Sequence, residues 1–139
     1  MEDGVIRREI VLEAQIENLE GLLDILRGDM ESVECPPECQ MSVEVCVEEI
    51  FVNIAHYAYE KDGGKAYITA MLDTKGISLC FRDKGIPYNP LEKEDPDITL
   101  SAEERQIGGL GIFMVKNMMN EVAYEYKDDF NCLTMKMWW

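Results

Sequence analysis

Basic side chains are scarce in this chain. Lys and Arg number 13 against 28 Asp and Glu over 139 residues, a formal net charge of −15. A surface that negative repels DNA, RNA and anionic lipid, so direct nucleic-acid binding and membrane-surface binding are not expected. No apolar run approaches the roughly 20 residues of a membrane span. The opening stretch, "MEDGVIRREIVLE", lacks the apolar block of a signal peptide. A cytoplasmic protein is the expectation. Histidine occurs once, as His56, and the cysteines are five: Cys35, Cys39, Cys46, Cys80 and Cys132. They are odd in number and scattered, and three residues rather than two separate Cys35 from Cys39. That argues against a structural zinc site and for free thiols in a reducing compartment. Internal repeats are absent as well.

What is present is a foldable core. Hydrophobic residues make up 47% of the sequence, enough for one domain spanning residues 1–139. Residues 5–14 alternate, with Ile6, Ile10, Leu12 and Ala14 on one side, as in a half-buried strand. Ile16, Leu19, Leu23, Leu26 and Met30 then recur at helical spacing. "ECPPEC" breaks that helix, and its prolines suit the start of a second one. The second helix runs to about Tyr59 with a core stripe of Val43, Val47, Ile50, Ile54 and Ala58. "KAYITAMLD" and "ISLCFRD" read as a hairpin across "TKG". Residues 84–106 are irregular and hold Gly85, Pro87, Pro90 and Pro96, as a functional or mobile loop would. "IGGLGIFMVKNMMN" turns helical with Ile112, Val115 and Met119 inward, and a second hairpin closes the chain. Grouped helices and hairpins of this kind predict an α+β fold: a two-layer sandwich with a mixed, mostly antiparallel sheet and its helices on one face.

Three groups of residues carry chemistry. In "EEIFVNIAHYAY", Glu49 and Asn53 stand four apart and share a helix face beside the core stripe. A carboxylate and an amide oxygen suit proton acceptance and magnesium. The same pair also fits two solvent-facing residues. In "FRDKGIP", Asp83 ends a strand and can accept from an exocyclic amine, while Gly85 permits close approach to a flat ring. An ordinary turn has the same look. In "GGLG", Gly108, Gly109, Leu110 and Gly111 open a helix, where backbone N–H groups favour phosphate. A flexible glycine joint is the alternative. No lysine-serine or lysine-threonine pair follows, which excludes a Walker P-loop, and no strand immediately precedes it, which excludes the dinucleotide fingerprint.

In this order and spacing, "EEIFVNIAHYAY", "DKGIPYNPL" and "GGLGIFMVKNMMNEVAY" resemble the N, G1 and G2 boxes of the GHKL (Bergerat-fold) ATPase superfamily. The likeness is closest to its small single-domain branch, the anti-sigma-factor serine-protein kinases. The resemblance implies ATP and Mg2+ as cofactors, Glu49 as general base and Asn53 as magnesium ligand. It implies Asp83 and Gly85 at the adenine, and Gly108, Gly109, Leu110 and Gly111 at the phosphates. It makes residues 84–107 the ATP lid, with Arg105 either reaching a phosphate or remaining a lid-surface cation. Lys116 is a weaker candidate. The family places the base on the glutamate, so His56 is expected to be a partly packed polar residue. The chain lacks the helix pair with a phospho-acceptor histidine that marks sensor kinases.

The implied activity is transfer of the ATP γ-phosphate to a serine or threonine of an anti-anti-sigma (STAS-domain) protein, with a sigma factor as second partner. Family members often act as dimers, which makes a homodimer an expectation. A nucleotide-gated module that sequesters a partner without phosphotransfer is the rival, and a retained Glu49 counts against it.

Overall fold

Alternation along the first segment produces strand β1 (Ile6–Glu13). The computed structural model describes residues 4–59, 63–92 and 109–139. Ile10 and Ala14 are buried on the inner side of β1. Arg8 shares that side, and Asp29 of the following helix neutralises it, with Nε and Nη2 donating to the two carboxylate oxygens at 2.9 and 2.6 Å. Helix α1 spans Leu19–Ser32 and buries Leu22, Leu23, Leu26 and Met30. The expected stripe is corrected at its start. Ile16 lies in a short 3-10 turn, Ile16–Asn18, and is 46% exposed. Asn18 donates its side-chain amide back to the Glu13 carbonyl there, so the α-helix begins only at Leu19.

Helix α2 spans Pro37–Asn53, entered through Pro36 and Pro37 as expected. Val43, Val47, Ile50 and Ile54 are buried. The α-helix does not run on to Tyr59. Residues Ile54–Ala58 form a wider π turn. Such turns insert a residue, rotate the side chains that follow and recur at functional sites. Strands β2 (Lys65–Asp73) and β3 (Gly76–Asp83) form the predicted hairpin. Helix α3 (Gly109–Met118) buries Ile112 and Val115. Strands β4 (Glu121–Lys127) and β5 (Phe130–Trp138) form the second hairpin.

The sheet order is β1-β2-β3-β5-β4. All four pairings are antiparallel, which replaces the expectation of a mixed sheet. The reason lies in the second half. Strands β3 and β4 run in the same direction, joined through α3, and would pair in parallel if they were neighbours. Instead β5 folds back from β4 and inserts between them, so both contacts become antiparallel. This insertion also sets Asp83 of β3 opposite Asn131 of β5. Inward residues of the sheet, among them Ile68, Leu79, Phe81 and Met135, join those of the three helices in one core. The helices therefore cover one face, as a two-layer α+β sandwich requires. On the other face Arg82 stacks over the Phe130 ring at 4.9 Å from its centroid.

Candidate functional site

A cavity of about 630 Å³ opens between α2, α3 and the ends of β3 and β5. Its walls are mostly apolar: Ile50 and Ile54 from α2 and its π turn, Phe81 from β3, Ile112 from α3 and Leu133 from β5. Asn53, Asp83 and Asn131 interrupt them, and Tyr57, Tyr88 and Tyr124 also line the cavity. An apolar cleft with few convergent polar groups is the usual form of a small-molecule site.

Asp83 is inward because it continues the phase of Ile77, Leu79 and Phe81 along β3, and it is only 6% exposed. Its Oδ1 accepts from the Gly85 N–H and from Asn131 Nδ2, both at 2.9 Å. Among the described residues no group donates to Oδ2. Burial raises the carboxyl above its ordinary range, while the bonds from Asn131 and Gly85 pull the other way.

Asn131 did not figure among the residues expected at the site, yet it organises this end of the cavity. It is 7% exposed. Its amide nitrogen also donates to the Ile86 carbonyl at 3.0 Å. Its oxygen accepts from the Tyr88 N–H at 3.0 Å and from the Tyr124 hydroxyl. One side chain thus ties β3, β4, β5 and the segment leaving β3. A sequence signal existed: Asn131 is the polar residue in the inward phase of Leu133, Met135 and Met137.

Gly85 has a structural reason of its own. A Cβ there would fall onto the Ala58 carbonyl and lie 2.7 Å from the Ala58 Cβ. The Ile86 N–H donates to the same carbonyl at 3.0 Å. The π turn and the segment after β3 are therefore in backbone contact. Tyr59 adds a second tie, since its hydroxyl accepts from the Lys84 N–H at 2.8 Å and donates to the Lys65 carbonyl.

Asn53, at the end of α2, lines the cavity. One turn earlier, Glu49 is half-buried and lies against Gly111 in the first turns of α3. The structure thus brings Asn53 and Asp83 to one cavity, with Gly85 bonded to Asp83, while Glu49 and Gly111 meet each other one turn from Asn53 and are not among the lining residues. Gly109 begins α3, and Leu110 follows within it. Gly108 and Arg105 lie outside the described residues, as does the expected lid beyond Glu92. The described part of that segment makes a 3-10 turn, Pro90–Glu92, with Leu91 packed on the core. His56 is exposed rather than partly packed, because it falls on the outer side of the π turn, edge-on to Tyr57. Lys116 is half-buried on α3.

The described donor set is sparse. Among the described residues no three His, Cys, Asp or Glu side chains gather as metal ligands. A single amide oxygen at Asn53 suits Mg2+, which keeps waters and takes its other ligands from phosphate groups. All five cysteines are free. Burial, with the Glu49 charge adding to it, pushes the Cys46 thiol up to about 12, so it stays protonated. No helix among the described residues is long and apolar enough to cross a membrane.

Residues 12–137 match the family model of the histidine kinase-like ATPase domain. The chain is 26% identical over 97 residues to the serine/threonine-protein kinase BtrW of Bordetella bronchiseptica, covering 69% of this chain and 68% of that protein. It is 25% identical over 84 residues to the anti-sigma F factor of Bacillus subtilis, 60% of this chain and 58% of that one. It is 24% identical over 98 residues to the serine-protein kinase RsbW of Bacillus cereus, 68% and 61% of the two chains. The chain thus spans less than two thirds of the last two relatives. Among solved structures, part of the chain that holds the RsbU and RsbW domains of Rv1364c from Mycobacterium tuberculosis shares this fold. The TM-score is 0.68 and the identity 14%, over 95% of this chain and 32% of that one.

Proposed function

The chain belongs to the histidine kinase-like ATPase domain family, and on that premise we propose that it is an ATP-dependent serine/threonine-protein kinase of the anti-sigma type. Its acceptor is a hydroxyl on an anti-anti-sigma, STAS-domain protein, and the regulated partner is a sigma factor. Relatives named as kinases and as anti-sigma factors support this reading.

When bound, Mg-ATP supplies the γ-phosphoryl group, with the metal neutralising phosphate charge. The chain's own residues do the rest. Asp83 Oδ2 accepts from the exocyclic amine of adenine, and the apolar walls around Phe81 and Ile112 exclude water from the base. Asn53 would hold the metal through its amide oxygen. The N-terminal turn of α3, with Gly109, Leu110 and Gly111, offers backbone N–H groups to phosphate oxygens, and Gly108 and Arg105 are assigned to the same end of the nucleotide. Glu49 takes the proton from the acceptor hydroxyl as its oxygen bonds to the γ-phosphorus. The bond from that phosphorus to the bridging oxygen breaks, and ADP leaves.

The observation that carries the proposal is the state of Asp83. It is buried at a cavity end, with Oδ1 committed to Asn131 and Gly85, and a metal-suited amide and a carboxylate lie on the adjoining helix. The test is incubation of the chain with ATP labelled at the γ-phosphate, magnesium and a panel of STAS-domain proteins. Label appearing on serine or threonine of a partner supports the kinase. ATP-dependent co-elution without label supports the nucleotide-gated binding module instead.

A further inference from the structure

Helices α2 and α3 pack closely, with Cys46 Sγ 3.9 Å from Met118 Sδ at one end of their contact. Near the other end, the Glu49 side chain crosses the gap to α3. A Cβ built on Gly111 would fall on Glu49 Oε2, 2.8 Å from its Cδ and 3.5 Å from its Cγ. We infer that Gly111 is a positioning residue for Glu49: the space left by its missing side chain is the seat of the carboxylate.

The contact is steric. Among the described residues no donor bonds to Glu49, and its contact with Gly111 is one of room. On one side is Cys46, one turn back on the same helix face and fully buried. On the other is Gly111. A carboxylate moved toward Cys46 would lose water; one moved outward would keep it. The atom a Cβ would meet is the far end of a flexible side chain. Filling the seat is therefore relieved by rotating the carboxylate outward, at less cost than parting two packed helices. The fold survives and the base is misplaced. This differs from a glycine that serves only to bring backbone N–H groups to phosphate, where substitution would weaken nucleotide binding first.

The inference rests on the kinase reading above for its consequence, and on geometry alone for the seat. The test uses the full chain with Gly111→Ala, Glu49→Asp and the two combined. The Glu49 carboxylate is followed by its 13C signal in glutamate-labelled protein, assigned with Glu49→Gln. Thermal midpoints are measured beside it, together with kcat and KM for Mg-ATP in transfer to the labelled partner. Gly111→Ala is expected to shift the Glu49 signal and lower kcat by about tenfold or more, with KM held within about threefold. Glu49→Asp, which withdraws the carboxylate by one methylene, is expected to slow the Gly111→Ala protein far less than it slows the wild type. A rise in KM with kcat unchanged overturns the inference and returns Gly111 to the phosphates. So does an unmoved Glu49 signal. A fall in thermal midpoint that Glu49→Asp does not reduce also overturns it, because the glycine then serves helix packing. If the wild type transfers no phosphate, the kinase reading fails and the catalytic role falls with it. The carboxylate signal and the midpoints then still decide whether Gly111 seats Glu49.

Discussion

Replacing Asn131 with alanine should unsettle both the fold and the base-binding end of the cavity. The substitution removes an amide that bonds Asp83, the Ile86 carbonyl, the Tyr88 N–H and the Tyr124 hydroxyl. A hydrogen bond to a charged group contributes about 1.5–3 kcal/mol and a neutral one about 0.5–1.5 kcal/mol, together roughly 3–7 kcal/mol. Members of one network do not add, and water entering from the cavity replaces part of the loss, which brings the expected cost to about 3–4 kcal/mol. With an m-value near 2 kcal/mol/M, the urea midpoint should fall by roughly 2 M. Asp83 responds too. Its carboxyl is already raised by burial, and the Asn131 bond is one of the two that hold it down. Because the folded-state pKa exceeds the unfolded one, the native state keeps its proton longer. Stability then falls as pH rises from the ordinary aspartate range through the folded value. Removing Asn131 widens that interval upward. Since the ionised carboxylate is the better acceptor, ATP affinity should fall on acidification, and should start to fall at higher pH in Asn131→Ala than in wild type. Urea titration and calorimetry across pH read both effects. A cost below about 0.5 kcal/mol, the level of an ordinary surface change, with an unaltered affinity profile would refute the reasoning.

Asp83→Ala should weaken ATP binding by about tenfold to a hundredfold, the loss of one charge-assisted bond, and GTP should bind poorly even to wild type. Equal ATP and GTP affinities in calorimetry would reject the base assignment. Asn53→Ala should weaken Mg-ATP binding itself, seen as a lost difference between titrations with and without magnesium. Gly85→Ala drives a Cβ into the Ala58 backbone, which cannot swing away, and should cost about 1–3 kcal/mol in denaturation. A neutral Gly85→Ala would show that the π turn yields freely.

Much of the scaffold was legible because amphipathic periodicity is local. The stripe Val43, Val47, Ile50 and Ile54 is buried as its spacing requires. Ile16 has the same chemistry and is exposed, because the chain enters α1 through a 3-10 turn that apolar spacing does not register. The antiparallel sheet was not fully legible, since insertion of β5 between β3 and β4 is a tertiary choice with no period in sequence. The candidate site shows the same division. Glu49 and Asn53 could be paired from their spacing on one helix. Asn131 gains its meaning only from the register that faces it to Asp83, 48 residues away. Gly111 could be read as a glycine at a helix start, but the contact with Glu49 depends on how closely two helices pack.

The central claim is that Glu49 handles a proton during phosphate transfer rather than helping to bind nucleotide. The most direct measurement is a single-turnover reaction of magnesium and γ-labelled ATP with an acceptor STAS-domain protein, wild type beside Glu49→Ala, both saturated with nucleotide. Nearly equal Mg-ATP affinity is expected, with a transfer step slower by roughly 10²–10⁴-fold in the variant. Transfer by Glu49→Ala at the wild-type rate would contradict it.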